Sequence, residues 1–232
     1  MPKRKNKYVD FVSDEDFIQC VKWVCDSYEA PPDPSDMAAM QRNTIDPFKM
    51  LFDVFNSDVE PEDWLNQESI RQKDKTINNR IGEFHQKLLG KVAGWKDLGI
   101  GDESKTDLVK ADRSIFIELK NKFNTMNSDG IDKCRDKLET AVNKHPKSVA
   151  YWAYIISRNG DSGEAVWTYG KRKRDGRIRI IWGKKVYELV TGDPDALEKT
   201  WRALPAAIRD LTPHKVAIGS DRLLEDVFRR AF

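Results

Sequence analysis

Three residues around a predicted strand turn have the side chains that hold a divalent metal ion beside a phosphate group. Asp107 lies in one short apolar segment, and Glu118 and Lys120 lie in the next. Successive side chains of a strand point to opposite faces, so Glu118 and Lys120 share one face. A carboxylate and an ammonium therefore stand side by side within an otherwise apolar strand, and these residues are the first candidates for a catalytic site.

A hairpin brings the third residue to this pair. The sequence predicts strands over 106–110 and 115–120, joined by a four-residue turn at Ala111–Ser114. In that register Asp107 lies opposite Glu118, and a turn one residue longer or shorter would shift every pair. Opposed residues on one face have Cβ atoms about 4.5–5.5 Å apart, so the two carboxylates would repel each other.

A divalent cation between the carboxylates would remove that repulsion. Mg²⁺ prefers hard oxygen ligands and keeps several waters, so two carboxylates plus phosphate oxygens would satisfy it. Lys120 could then orient a water molecule or stabilise charge that develops on the phosphate. The alternative is a solvated polar face on an edge hairpin, because half-exposed strands are common.

The surrounding pattern predicts a mixed α/β fold. Helices are predicted over 14–28, over 35–55 with an interruption at Pro47, and around an apolar stripe ending near Gly90. A loop over 92–105 precedes the hairpin. A helix capped by Ser128 and a buried strand over 149–157 follow it. We expect an N-terminal helical region over 1–64 and a catalytic core over 65–232.

The C-terminal third predicts a second hairpin and two more helices. Strands are predicted over 164–174 and 177–190, joined by a two-residue turn at Asp175–Gly176. A helix capped by Asp193 and a short terminal helix carrying Phe228 complete the chain. The order of helices, strand pair, helix and strands is mixed rather than a regular βαβ alternation.

Composition excludes several classes of protein. The chain has 40 Lys and Arg against 38 Asp and Glu, so its net charge of +2 does not by itself indicate a nucleic-acid binder. Three cysteines without paired spacing argue against a disulfide framework and favour a reducing cytoplasm. The histidines and cysteines show no zinc-binding spacing, and no apolar run approaches a membrane span.

Other polar residues are candidates for metal or nucleic-acid contact. Glu83 lies on the helix before the hairpin; it is either a further metal ligand or a solvated helix charge. The segment after the catalytic strand could contact bases or phosphates, or could simply cap the next helix; its candidates are Asn121, Lys122, Asn124 and Thr125.

Six basic residues surround the predicted second hairpin: Lys171, Arg172, Lys173, Arg174, Arg177 and Arg179. A two-stranded ribbon fits the major groove of DNA, and arginine pairs with guanine through two hydrogen bonds. We expect this run to contact DNA. The alternative is a charged sheet edge that prevents aggregation. The seven tryptophans are expected to be core or interface anchors rather than base-stacking residues.

At the first hairpin the sequence resembles the PD-(D/E)xK nuclease superfamily. Asp107 matches the aspartate, Glu118-Leu119-Lys120 matches the E-x-K, and Thr106 replaces the usual proline. The helix, hairpin, helix and strand order from Ser69 to Ser157 is similar to the superfamily core. More narrowly, residues 105–107 and 117–125 resemble the type II restriction endonucleases that cut GGNCC or GGWCC sites.

This resemblance implies a PD-(D/E)xK core with an N-terminal helical extension, acting as a homodimer on double-stranded palindromic DNA. It implies Mg²⁺-dependent cleavage of both strands that leaves 5′-phosphate ends, with Asp107 and Glu118 as metal ligands and Lys120 beside them. A protecting DNA methyltransferase and a bacterial cytoplasmic location are expected with it. The alternatives are a structure-selective or repair nuclease of this fold, and a non-catalytic DNA-binding module.

Overall fold

The computed structural model describes residues 6–28, 30–99, 105–212 and 222–232. Its helices are α1 (Asp14–Cys25), α2 (Met37–Gln41), α3 (Pro47–Ser57), α4 (Pro61–Gly90), α5 (Ser128–Lys144), α6 (Lys184–Thr191), α7 (Ala196–Leu211) and α8 (Arg222–Ala231). Its strands are β1 (Trp95–Asp97), β2 (Leu108–Lys110), β3 (Ile115–Lys122), β4 (Val149–Ile156), β5 (Gly163–Val166) and β6 (Ile178–Trp182). None of the described helices is long and apolar enough to cross a membrane.

The six strands form one mixed sheet in the order β1-β2-β3-β4-β6-β5. The central strands β3, β4 and β6 run parallel, whereas β1 and β2 on one side and β5 on the other pair antiparallel. This arrangement confirms the predicted mixed α/β class. A three-residue strand, β1, occupies part of the segment predicted as a loop over 92–105, and it covers the outer edge of β2.

The predicted register of the first hairpin is confirmed. Leu108 pairs with Ile117 and Val109 with Phe116. The turn is held by the Asp112 carboxylate, which accepts hydrogen bonds from the N–H and hydroxyl groups of Ser114 at 2.9 and 2.5 Å. Four residues therefore separate the strands, as the alternation of apolar side chains requires.

Helix α5 covers the face of the sheet on which Phe116 lies. Its buried side chains pack with those of the sheet in one cluster of Val109, Phe116, Cys134, Leu138, Ala141, Val142, Ala150, Trp167 and Ile178. The helix begins one residue earlier than predicted, because the Asn127 side chain, rather than Ser128, accepts the capping hydrogen bond from the Gly130 N–H at 2.9 Å. Glu118 follows Phe116 by two residues and so shares the face covered by α5.

The predicted second hairpin is wrong in its turn and its length. Strands β5 and β6 do pair antiparallel, but β5 ends at Val166 and β6 begins only at Ile178. Asp175 and Gly176 form a local turn in which the Ile178 N–H donates to the Asp175 carbonyl at 3.1 Å. The second predicted strand also continues as helix α6, whose apolar residues at helical spacing are buried.

The last long helix begins later than predicted. The Asp193 carboxylate accepts a hydrogen bond from the Asp195 N–H at 2.9 Å, and the Ala196 N–H donates to the Asp193 carbonyl at 3.2 Å. These bonds close a turn before the helix, so Asp195 rather than Asp193 is the residue that precedes α7.

The described chain divides into two compact units, residues 22–81 and residues 6–21 with 82–232. The larger unit holds the sheet, and the smaller one has its own buried cluster of Met40, Ile45 and Trp64. The sequence-based boundary at residues 64 and 65 falls inside α4, which is a single helix from Pro61 to Gly90. The predicted interruption at Pro47 is confirmed, since α3 begins there with Asp46 as its N-cap.

Candidate functional site

Asp107 is fixed at the end of the first hairpin by its backbone and its side chain. Its N–H donates to the Ile117 carbonyl at 3.0 Å, and its own carbonyl accepts from the Leu98 N–H at 3.0 Å. Its Oδ2 atom accepts a hydrogen bond from the Leu119 N–H at 2.7 Å. These contacts fix the carboxylate beside β3, next to the segment that carries Glu118 and Lys120.

The structure brings Glu118 and Lys120 together with Asp107. The Lys120 Nζ atom donates to Glu118 Oε1 at 2.8 Å and lies 3.6 Å from Asp107 Oδ2. Glu118 is buried, with 3% of its surface exposed, while Asp107 and Lys120 are half-buried. The alternative of a fully solvated polar strand face does not describe this site, because its central carboxylate is screened from water.

A second lysine reaches the same carboxylate from α5. The Lys137 Nζ atom lies 2.9 Å from Glu118 Oε1 and 3.0 Å from Oε2. Sequence reasoning missed this residue. The signal for it was present: Lys137 lies three residues after Cys134, on the apolar face of a predicted helix, where a lysine needs an acidic partner or a path to solvent.

Burial and neighbouring charge shape the ionisation of the site. Burial raises the pKa of Asp107, and the nearby Glu118 carboxylate raises it further. Burial alone would lower the pKa of Lys120, but Asp107 and Glu118 outweigh that effect and leave this pKa raised. Burial, with a smaller contribution from Glu118, also raises the pKa of the neighbouring Cys134 thiol to about 12, so this cysteine stays protonated and unreactive at neutral pH.

The two carboxylates suit a cation that is completed by water and phosphate. The described residues contain no group of three or more His, Cys, Asp or Glu side chains that could hold a metal ion. Mg²⁺ does not need such a cage, because it commonly binds through one or two carboxylates and keeps several waters. Asp107 and Glu118, close together and facing the same ammonium, fit that requirement.

Glu83 does not join these carboxylates in a group of three. It is exposed on α4, next to Gly82, where a Cβ atom would lie 3.8 Å from the Cβ of Asn121. Helix α4 thus approaches the end of β3 just beyond Lys120. A role for Glu83 at the metal stays a prediction.

Comparison with known proteins places the chain in a family. The model of the Eco47II restriction endonuclease family matches residues 9–213, which include both strands of the hairpin and α5. The chain belongs to that family. It is a type II restriction endonuclease, and the predicted resemblance to type II restriction endonucleases is confirmed.

Two relatives of this restriction endonuclease extend over most of the chain. It is 38% identical to the type II restriction enzyme Eco47II of Escherichia coli over 212 residues, 86% of each protein. It is 32% identical to the type II restriction enzyme Sau96I of Staphylococcus aureus over 216 residues, 88% of this chain and 81% of the relative.

The polar segment at the end of β3 lies partly at the surface of the endonuclease. Lys122, Asn124 and Thr125 are exposed, and the Thr125 hydroxyl donates to the Lys122 carbonyl at 3.0 Å. The Oδ1 atom of Asn121 is buried and has no hydrogen-bond partner among the described residues. Both earlier interpretations, DNA contact and loop capping, stay predictions for these four residues.

Three of the six basic residues around the predicted second hairpin of the endonuclease are paired within the protein. Arg172 lies 2.9 Å from Asp132 and 2.5 Å from Asp136, both on α5. Arg177 lies 2.6 Å from Asp175, and Arg179 lies 2.5 Å from Glu164. Their charges are compensated locally, so they stabilise the loop and strand on which they lie.

The other three residues of this segment are exposed: Lys171, Lys173 and Arg174. The loop that carries them is held in place by α5, because the buried Arg135 guanidinium donates hydrogen bonds to the carbonyls of Trp167 and Lys173 at 2.7 and 3.1 Å. A fixed loop with exposed cations suits phosphate contact better than the paired arginines do.

Proposed function

We propose that this restriction endonuclease uses a PD-(D/E)xK site and cuts double-stranded DNA in a Mg²⁺-dependent reaction. The observation that carries the proposal is the meeting of Asp107, Glu118 and Lys120 at one end of the hairpin. Their contacts, 2.8 Å and 3.6 Å from the Lys120 ammonium to the two carboxylates, form a mixed-charge site on a buried strand. Apolar residues would pack better at these positions, so packing does not explain the charged side chains.

The metal would be held by Asp107 and Glu118, and we propose Glu83 of α4 as a third ligand. When bound, Mg²⁺ would polarise the scissile phosphate and supply a bound water of lowered pKa. Asp107 Oδ2 is already occupied by the Leu119 N–H at 2.7 Å. That hydrogen bond orients the carboxylate before the metal arrives, which reduces the reorganisation needed during reaction.

Lys120 would act on the phosphate from the same face. Its ammonium stays charged at neutral pH, because the two neighbouring carboxylates outweigh the effect of burial on its pKa. A fixed positive charge in a site screened from water stabilises negative charge on the phosphate oxygens more strongly than it would in bulk solvent. The same group could orient the attacking water.

The substrate would be a palindromic GGNCC- or GGWCC-like site, cut in both strands to leave 5′-phosphate ends. The similarity to Eco47II and Sau96I over most of the chain supports this substrate. Each chain supplies one Asp107–Glu118–Lys120 site, which can attack one phosphodiester bond at a time. A homodimer would supply two sites related by a two-fold axis that matches the symmetry of a palindrome.

DNA contacts would come from two exposed segments. Lys122 at the end of β3 and Asn124 and Thr125 just after it would contact the DNA close to the scissile phosphate, with Asn121 beside them. Lys171, Lys173 and Arg174 would contact the backbone further away. A partner methyltransferase that modifies the same site would protect the host genome, and the enzyme would act in the bacterial cytoplasm.

Cleavage of unmethylated plasmid DNA tests this proposal. We expect discrete fragments with Mg²⁺ and none after chelation with EDTA, and sequencing of the fragment ends should give one palindromic site with 5′-phosphates. Glu118→Ala is the matched inactive control. Smears, or cutting only of branched DNA, would indicate a repair nuclease instead, and binding without cutting would indicate a non-catalytic module.

A further inference from the structure

Helix α3 is apolar on two sides. One side packs within its own unit, where Met50 and Val54 contact the buried cluster of Met40, Ile45 and Trp64. The other side carries Phe48, Leu51, Phe52 and Phe55, which are 72%, 56%, 69% and 82% exposed. A helix with apolar residues on both sides is expected to be covered on both sides.

These four side chains form one continuous surface, which we call the α3 outer stripe. Their spacing of three, one and three residues places them on the same side of a helix. Exposed apolar patches of this kind on a folded protein indicate an interaction surface. Of the eleven large exposed hydrophobic residues in the part of the chain that the structure describes, seven lie in the small unit of residues 22–81.

A competing surface near the C-terminus is less favourable. Helix α7 is already covered at Trp201, because the Trp201 ring stacks on Phe228 of α8 with ring centroids 4.5 Å apart. Helix α8 exposes Leu223, Leu224 and Val227, but these three residues are aliphatic and offer less area than three phenylalanines.

The area of the α3 outer stripe is close to what a small dimer interface requires. A fully covered aromatic side chain buries about 150–250 Å², so the four exposed side chains offer roughly 400–600 Å² per chain. Two copies together would cover roughly 800–1,200 Å², which approaches the lower end of stable interfaces at about 1,200 Å². Residues flanking the stripe would supply the remainder.

The stripe is also complementary to a second copy of itself. Its spacing is symmetric about the midpoint between Leu51 and Phe52. Two α3 helices packed antiparallel about a two-fold axis at that midpoint would place Phe48 against the partner's Phe55. The same arrangement would place Leu51 against the partner's Phe52. A two-fold interface requires this kind of self-complementary surface.

We propose that the α3 outer stripe is the homodimer interface of this endonuclease and that its occupant is the same stripe of a second copy. The polar residues beside it suit the rim of such an interface, since Lys49 and Asp53 form an ion pair within the helix. The proposal rests on the proposed function in one respect: cutting both strands of a palindrome calls for two catalytic sites.

Sedimentation of the full-length protein without DNA tests the interface. We expect the wild type to form dimers, and Phe52→Glu and Phe55→Glu each to raise the dimer dissociation constant by roughly a thousandfold, since each substitution enters a two-fold interface twice. Val227→Glu is the matched control, because Val227 is 58% exposed but lies on α8. Circular dichroism checks that each variant is folded.

Cross-linking tests the antiparallel register. Phe48→Cys and Phe55→Cys proteins, each in a background with Cys25 replaced by serine, are mixed and treated with a short bis-maleimide. Antiparallel packing predicts that cross-links form mainly between the two different variants. Links mainly within each variant would overturn the register.

The remaining outcomes decide the proposal. A wild type that stays monomeric at high concentration, or stripe variants that dimerise as well as Val227→Glu, would overturn it. These results do not depend on cleavage. If the wild type dimerises through α3 but never cuts DNA, the proposed function fails and the interface stands. If the wild type cuts both strands and the stripe variants still dimerise, the proposed interface is wrong and the proposed function stands.

Discussion

The Lys137 ammonium lies 2.9 and 3.0 Å from the two carboxylate oxygens of Glu118, a residue 19 positions earlier in the chain. With Lys120 at 2.8 Å, three amine contacts occupy this one buried carboxylate. A metal ion bound to Glu118 would therefore share the carboxylate oxygens with an ammonium group. Lys120 lies on the same strand as Glu118, whereas Lys137 comes from α5.

We expect Lys137→Gln to strengthen metal binding before DNA is present, because a neutral amide replaces the competing positive charge. A gain of about tenfold would correspond to about 1.4 kcal/mol. Mn²⁺ binding followed by electron paramagnetic resonance measures this without any cleavage. Lys133→Gln, an exposed lysine on the same helix, is the control. Equal Mn²⁺ affinity in both variants would show that Lys137 does not compete with the metal.

Asp107→Ala and Glu118→Ala should each abolish cleavage while leaving DNA binding largely unchanged. The reason is that each change removes one of the two proposed metal ligands but none of the exposed cations proposed to contact phosphate. Gel-shift and cleavage assays on the same duplex separate the two effects. Asp129→Ala, an exposed aspartate on α5, should cut normally. Appreciable Mg²⁺-dependent cutting by either site variant would remove the assignment.

Lys120→Ala should slow cleavage by roughly a few hundredfold, the typical effect of losing one well-placed electrostatic stabiliser. Single-turnover rates at saturating DNA report the chemical step and exclude weakened binding. Lys122→Ala, two residues further along the same strand and exposed, should change affinity more than rate. A Lys120 variant with a nearly wild-type rate would mean that this ammonium serves only to neutralise the carboxylates.

Replacing Lys171, Lys173 and Arg174 together with alanine should weaken DNA binding and flatten its salt dependence by roughly three units, since each lost phosphate contact contributes about 0.9. Arg172→Ala should act differently and lower the free energy of unfolding, because its partners on α5 would lose their counter-charge. Binding titrations at several salt concentrations and urea unfolding distinguish the two. An unchanged salt slope in the triple variant would remove the segment from the DNA interface.

The stability of the large unit should fall on acidification through His85. Burial lowers the pKa of His85 to about 4 from its usual 6.5, and its Nδ1 atom lies 2.8 Å from the Tyr187 hydroxyl. Between pH 6.5 and 4, His85 is therefore protonated in the unfolded chain but neutral in the folded chain. The loss of stability between pH 6.5 and 4 would reach at most about 3 kcal/mol. Urea unfolding of His85→Gln should lack this component.

The first hairpin could be predicted from the sequence because its information is local. Apolar alternation fixed the faces, and the four-residue turn fixed which pairs lie opposite. Lys137 could not be predicted in the same way. Its contact depends on how α5 crosses the sheet, and that angle is set by side chains such as Phe116 and Leu138 that are distant in sequence.

The second hairpin shows where local signals mislead. Asp175–Gly176 is a genuine turn, but Arg172, just before it, forms ion pairs with acids on α5 that lie between 33 and 40 positions earlier. The segment after β6 has β-branched and aromatic residues typical of a strand. It is helical because burial of Val186, Tyr187 and Val190 outweighs that propensity.

The turn from Ala111 to Ser114 sets the position of the Asp107 carboxylate, a proposed metal ligand. Asp107 donates to the Ile117 carbonyl and accepts from the Leu119 N–H, so it follows the hairpin register directly. Deleting or inserting one residue in this exposed turn would turn Asp107 to the other face of the sheet. The length of this loop is therefore constrained by the position of Asp107, and a tag inserted there would displace a proposed metal ligand.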